Sequence, residues 1–417
     1  MGMTIAEKIL AAKSGNRQVR PDDLVTVDVD TTVVIDNNCM PSQWRDILKL
    51  ADPDKIIVVF DHRAPASTTA SAAAHRTGRE FVKKFGIKRF HDIGGRQGIA
   101  HQLVADHGYA LPGGVLLCGD SHTCSAGVFN CLARGVGTPD VIFAAVTGKA
   151  WFKVGKTVRY ELKGSLSNVV TAKDAFLQIA GVWGDHATMN VEYGGPGIAS
   201  LNINARKTLT TMSAELSAEF ATFEPDDVMM DWVRARNPAP FEPVYPDADA
   251  VYHDVREVDL SMLEPLVAFP DSVVENSQPV SAAAGTKVDQ AFIGSCANGT
   301  LDDLALAAQV LKGKSVSSET RLIITPASQN VYREAVKLGI VDILLEAGAV
   351  ITPATCGACG GGSMGVLGPN ETCITATTRN FKGRMGDASA RIFMASPATV
   401  AASAIRGVIT DPREFIN

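Results

Sequence analysis

Lys55 to Phe60 reads KIIVVF, in which Ile56 to Phe60 is an unbroken β-branched and aromatic run that turns at once into Asp61-His62-Arg63-Ala64-Pro65. A run apolar at every position does not suit a strand with one wet face. It suits a parallel strand buried on both sides, which requires helices above and below the sheet. The chain is thereby constrained to an α/β architecture, in which sites form beyond the carboxyl ends of the strands. Asp61 and His62 stand at such an end. Gly114 to Cys118 repeats the pattern and runs into Gly119-Asp120-Ser121-His122-Thr123-Cys124. Between the two, a helix is expected over 67–85, followed by the turn Gly94-Gly95-Arg96-Gln97-Gly98 that delivers His101.

The flanking segments extend this reading. Thr4 to Lys13 is a helix with Thr4 and Glu7 spaced as a capping box, and Leu24 to Asp30 alternates as a strand that ends in Asp30-Thr31-Thr32. A helix is expected within the Gly-rich segment 135–148, an outer strand over 158–163 and a turn-rich loop over 191–197. Another helix is expected over 204–223, carrying Thr211 and Glu215 one turn apart. Residues 237–271 are rich in proline and acid and read, with 277–287, as surface excursion and linker. Strand–helix alternation resumes at Gln290, so 1–285 is expected to hold two intertwined α/β domains and 286–417 a third.

Composition removes several classes of function. With 417 residues the chain exceeds a single core. Its net charge of -6 carries no basic block that would steer nucleic acid. No stretch approaches the ~20 apolar residues that span a bilayer, and the N-terminus lacks the apolar core of a secretory signal. A cytoplasmic location is expected, and the eight cysteines are then thiols or metal ligands rather than a disulfide framework.

Three of those cysteines stand apart. Cys356 and Cys359 form a C-x-x-C within ATCGACGGGSM, and Cys296 lies upstream in Gly-Ser-Cys-Ala-Asn-Gly. A structural zinc site would want a fourth ligand. A thioredoxin-type pair would open a helix, whereas glycines follow here. Three thiolates on an iron–sulfur cluster would leave one iron open as a Lewis acid. By spacing alone a cluster, zinc or plain thiols all remain open. His62, His101 and His122 each follow a strand or turn and together suggest a site. Glu215 reads as a solvated helix charge. Arg379 and Arg384, around a glycine turn, read either as surface residues or as a bidentate carboxylate clamp.

The segments GSCANGTLDDL, TCGACGGG, TTRNFKGRMG, SPATVAASAI, FDHRAP and CGDSHTCSAG, with the opening TIAEKIL and the closing VITDP, resemble the aconitase superfamily over essentially the whole chain. The resemblance is nearest to the large subunits of isopropylmalate dehydratases. It implies three-layer α/β/α domains with mostly parallel sheets, and a [4Fe–4S] cluster on Cys296, Cys356 and Cys359. It implies that His62, paired with Asp61, protonates a leaving hydroxyl, with His101, Asp120 and His122 in support. It raises Glu215 to an active-site carboxylate and makes Arg379 and Arg384 ligands of substrate carboxylates. Ser121 and Thr31 complete the expected substrate-binding set. The implied reaction is reversible dehydration of a small hydroxy diacid. The family's catalytic serine sits on a swivelling domain. No matching glycine–serine–serine–arginine segment follows Asp411-Pro412, so a separate small subunit is expected to supply it.

Departures from the usual pattern occur at Arg63-Ala64, Cys124-Ser125-Ala126, Thr211, Thr378, Lys382 and Met385. They leave maleate, citraconate and dimethylmaleate as alternatives to isopropylmalate. A reading of another class, a cluster-free RNA-binding regulator, is opposed by the acidic charge.

Overall fold

The computed structural model describes residues 2–40, 44 and 47–416. The KIIVVF run forms the strand Ile56–Val59, every residue of it buried. It lies in a five-stranded sheet with the order Arg89–His91, Ile56–Val59, Thr31–Ile35, Val115–Cys118, Leu132–Gly135. All four pairings are parallel. Alternate side chains divide between two cores. Val33, Ile35, Ile57 and Val59 pack with Ala100, Leu103 and Val104 on one side. Val34, Val58 and Phe60 pack with Ala74, Phe81, Val141 and Ala145 on the other. Those partners lie on the helices Ala100–Asp106, Thr69–Phe85 and Thr138–Thr147, which gives the three layers.

A second sheet has seven strands in the order Ser277–Pro279, Leu266–Ala268, Arg391–Ala395, Thr372–Thr375, Gln290–Ile293, Arg321–Ile324, Val350–Ile351. Its last five strands are mutually parallel, and the first two attach antiparallel. A third sheet of four parallel strands, Ala221–Phe223, Met189–Gly194, Lys156–Lys163 and Asp254–Asp259, lies between them in sequence. An antiparallel ribbon pairs Leu24–Asp28 with Lys149–Lys153. The first helix, Ile5–Ser14, starts on the expected Thr4–Glu7 capping box.

Several local expectations change. Thr31 does not trail a strand but opens one, Thr31–Ile35, all of it buried. Lys156–Lys163 is interior rather than outer, because Asp254–Asp259 pairs on its far side. The expected loop at 191–197 begins as the last residues of Met189–Gly194. The long helix over 204–223 stops at Met212; a short helical turn, Ser213–Leu216, and the strand Ala221–Phe223 follow. The supposed linker contributes three strands, two of them to the seven-stranded sheet. Among the described residues no helix is long and apolar enough to cross a membrane.

Candidate active site

Three neighbouring strands of the five-stranded sheet end side by side. Thr31–Ile35 delivers Asp36 and Asn37, Ile56–Val59 delivers Asp61 and His62, and Val115–Cys118 delivers Asp120, Ser121 and His122. The seven-stranded sheet faces them with Cys296 after Gln290–Ile293, Cys356 and Cys359 after Val350–Ile351, and Arg379 and Arg384 after Thr372–Thr375. A cavity of about 300 Å³ between these ends is lined by His62, His101, Asp120, Ser121, His122, all three cysteines and both arginines. A larger cavity of about 620 Å³ around Trp151 and Arg134 contains none of them.

Asp120 is the hub. Its Oδ1 lies 2.8 Å from His101 Nε2 and accepts the His122 backbone N–H at 2.7 Å. Its Oδ2 lies 3.1 Å from His62 Nε2. His62 Nδ1 lies 2.7 Å from Asp61 Oδ1. Asp61 Oδ2 accepts the Ala100 N–H at 2.8 Å, which ties the helix bearing His101 to the same strand end. Asp36 receives the backbone N–H groups of His62 and Arg63 at 3.2 and 2.8 Å. His122 Nε2 lies 3.0 Å from Glu215 Oε1, and the same oxygen accepts from Arg379 Nε at 2.7 Å. Glu215 therefore sits on the short turn beyond the helix and points inward, instead of lying on a wet helical face.

The electrostatics follow from these contacts. Burial opposes a charge on His62, but Cys356, Asp61 and Asp120 outweigh it and hold the imidazole well above its ordinary pKa. Burial likewise opposes ionisation of Asp120. Hydrogen bonds from His101, His122 and His62 nevertheless hold its carboxyl well below the usual range. Glu215 is held down despite burial by His122 and Arg379. Burial pushes Cys356 up to about 12 and Cys296 well above the ordinary thiol value. Cys359 goes the other way: burial is offset by Arg384, whose guanidinium donates to the Cys359 carbonyl at 2.8 Å and approaches its Sγ at 3.5 Å.

The three cysteines can be tested against a metal group. A lone tetrahedral zinc, at ~2.3 Å from each sulfur, would draw the sulfurs to within about 4 Å of one another. Among the described residues they do not meet even within 4.8 Å; the one trio that does is Asp61, His62 and Cys356, already joined by the Asp61–His62 hydrogen bond. Sulfurs around one cavity but farther apart suit the corners of a multi-iron group. A polar hydrogen is also available: Thr378 Oγ1 is 3.8 Å from Cys359 Sγ. Gly357, at φ 57°, lets the loop pass so close to Thr325 that a Cβ would stand 2.4 Å from its Oγ1. The residues fit a cluster. The other five cysteines are buried elsewhere and do not line this cavity.

Thr31 lies away from this cavity. It opens its parallel strand, at the opposite end of the sheet from the site. Its hydroxyl donates to the Tyr109 carbonyl at 3.2 Å, and it borders a separate cavity. The residues that its strand does bring to the site, Asp36 and Asn37, escape the sequence reading. The signal for them was the buried run TVVI directly before Asp36, the same pattern that marked Asp61 and His62.

The sequence pattern of the Aconitase family (aconitate hydratase) matches residues 8–285 and 273–407. The chain belongs to the aconitase family. Among its relatives, the 3-isopropylmalate dehydratase large subunit of Mycolicibacterium smegmatis is 51% identical over 416 residues, covering 100% of this chain and 98% of the relative. The 3-isopropylmalate dehydratase large subunit 1 of Methanopyrus kandleri is 42% identical and covers 100% of both chains. A Methanothermobacter thermautotrophicus protein named "Probable methanogen homoaconitase large subunit" is 40% identical, covering 99% of this chain and 98% of the relative. Membership of the aconitase family accords with the mostly parallel α/β architecture and with a family-level iron–sulfur cluster.

Proposed function

We propose that this chain is the large subunit of a 3-isopropylmalate dehydratase type of hydro-lyase, which removes and re-adds water on a small hydroxy diacid. The observation that carries this is His62: each ring nitrogen faces a carboxylate, and it borders the cavity shared by the three cysteines. The full-length likeness to dehydratase large subunits supports the same reading.

Cys296, Cys356 and Cys359 would hold a [4Fe–4S] cluster, which when bound supplies a Lewis-acidic iron for substrate oxygens. The remaining chemistry belongs to the chain. A departing hydroxyl needs a proton. His62 is held protonated, with Asp61 fixing Nδ1, while Nε2 lies on the side of Asp120 and the cavity. Asp120 keeps the His62, His101 and His122 rings in register, so that proton transfer costs little reorganisation. Arg379 and Arg384 offer guanidiniums suited to bidentate carboxylate binding. Glu215 orients Arg379 and His122 through one oxygen. Ser121 lines the mouth of the cavity and can donate to a substrate oxygen. The base that takes the carbon-bound proton would come from a small partner subunit, in keeping with the large-subunit names of the relatives.

The test is turnover by anaerobically reconstituted protein co-expressed with its small subunit, offered 2-isopropylmalate, citraconate, maleate and dimethylmaleate, with the enoate absorbance followed. Preference for isopropylmalate supports the proposal. Preference for a small maleate-type acid keeps the reaction class and replaces the substrate. Turnover of none, with iron and sulfide present, refutes it.

A further inference from the structure

Two lysines are buried beside the cysteine cavity without an ion pair among the described residues. Lys173 is 0% exposed and Lys207 1%. Lys173 Nζ donates to the Thr377 carbonyl at 2.8 Å and otherwise meets the sulfurs of Met212 and Met394 at 3.3 and 4.0 Å. Lys207 Nζ donates to the side-chain oxygen of Gln102. Among the described residues neither ammonium makes an ion pair. The acids nearest in the network are already engaged: Asp303 by Thr300 and Asn298, Asp106 by Gln102 and Ser328, and Asp174 by Thr171 and Leu266.

An ammonium has three N–H groups and a high hydration cost to surrender. Neutral side chains would fill either place at less cost, and a carbonyl or amide partner does not repay the burial of a charge. Both lysines lie one step from a cysteine. Thr377 precedes Thr378, whose hydroxyl is 3.8 Å from Cys359 Sγ. Thr208, next to Lys207, donates to the carbonyl of Ala297 at 2.9 Å, directly after Cys296. The two cations therefore approach the cavity from the helices Ala172–Trp183 and Ile203–Met212. Burial lowers the pKa of both lysines, that of Lys173 to about 8, and the net negative charge of a [4Fe–4S] cluster on three thiolates would favour their ammonium forms.

We propose that Lys173 and Lys207 are positioning residues that act as fixed positive charges against the cluster, raising its reduction potential and retaining it in the protein. This rests on the reading that Cys296, Cys356 and Cys359 hold a cluster. The charges act through space rather than by contact with substrate, so their effect should appear without turnover.

The experiment compares anaerobically reconstituted full-length wild type with K173M, K207M and K207Q, titrating the cluster potential by EPR. Each variant should raise the ratio of oxidised to reduced cluster at fixed potential by about tenfold, equivalent to a midpoint lower by about 59 mV for one electron. K207Q can still donate to Gln102 but carries no charge, and should shift as K207M does. Cluster-free K173M and K207M should unfold at or above the wild-type temperature, because a buried unpaired charge has been removed. Loaded variants with the wild-type potential, or a K207Q potential restored by the amide alone, would overturn this inference and leave the cluster reading standing. Wild-type protein that takes up no iron and sulfide would overturn both.

Discussion

His62 Nε2 and Asp120 Oδ2 lie 3.1 Å apart although the two residues end different strands of one sheet. With Asp61 on the other ring nitrogen, the imidazole is clamped by two carboxylates that both favour its charged form. The arrangement is suited to donating a proton, since the ring is held protonated on a buried scaffold.

Asp120→Asn should leave the cluster ligands intact but remove the carboxylate shared by His62, His101 and His122. Turnover should fall by about 10²–10⁴-fold, the usual worth of general acid–base catalysis. Iron content and near-ultraviolet circular dichroism measured alongside the rate check this. Turnover within a few-fold of wild type would remove Asp120 from the proton path.

Cys356→Ser should abolish iron uptake, because a hydroxyl does not replace a thiolate ligand. Cys39→Ala, at a buried cysteine outside the cavity, should keep full iron stoichiometry. Iron and sulfide assays after anaerobic reconstitution decide between them, and equal iron in both would refute the ligand assignment.

Arg384→Lys should raise the KM for a diacid about tenfold or more, since an ammonium cannot make the paired N–H contacts of a guanidinium. The same change also loses the hydrogen bond to the Cys359 carbonyl, so cluster loss must be followed in parallel. An unchanged KM with full iron would take Arg384 out of the substrate site.

His91 gives a pH effect on stability away from the active cavity. Burial, with the neighbouring His107, lowers its pKa to about 4, and its ring is held by the Arg96 carbonyl and the Tyr109 hydroxyl. The folded value lies below the unfolded one of about 6.5, so the unfolded chain takes up the proton first as pH falls. The contribution is complete above about pH 6.5 and lost towards pH 4, by up to about 3 kcal/mol. Urea midpoints at pH 7 and 4.5 should therefore differ less in His91→Gln than in wild type. Parallel losses in the two proteins would refute the assignment.

Some residues were readable because their signal is local. Asp61, His62, Asp120 and His122 follow buried runs, and such runs announce a strand whose carboxyl end points at a crevice. Asp36 carried the same signal, yet its strand went unread because Thr31 and Thr32 looked like the tail of the strand before. Thr31, expected to bind substrate, opens its strand at the end away from the site. Glu215 could not be read from pattern, because its partners His122 and Arg379 lie far away in sequence. Resemblance to known segments raised it, and packing explains it: the helix breaks at Met212 and the next turn swings the carboxylate inward.

By itself, then, the sequence determined the α/β class, the parallel sheets and the family, since these rest on runs of apolar side chains and on short motifs contiguous in the chain. Only the tertiary structure decided which strand ends meet, that Asp120 serves three histidines, and that Lys173 and Lys207 are buried without an ion pair among the described residues. Those facts depend on distance in space between residues far apart in sequence. The free energy of a charge depends on what surrounds it rather than on which residues precede it.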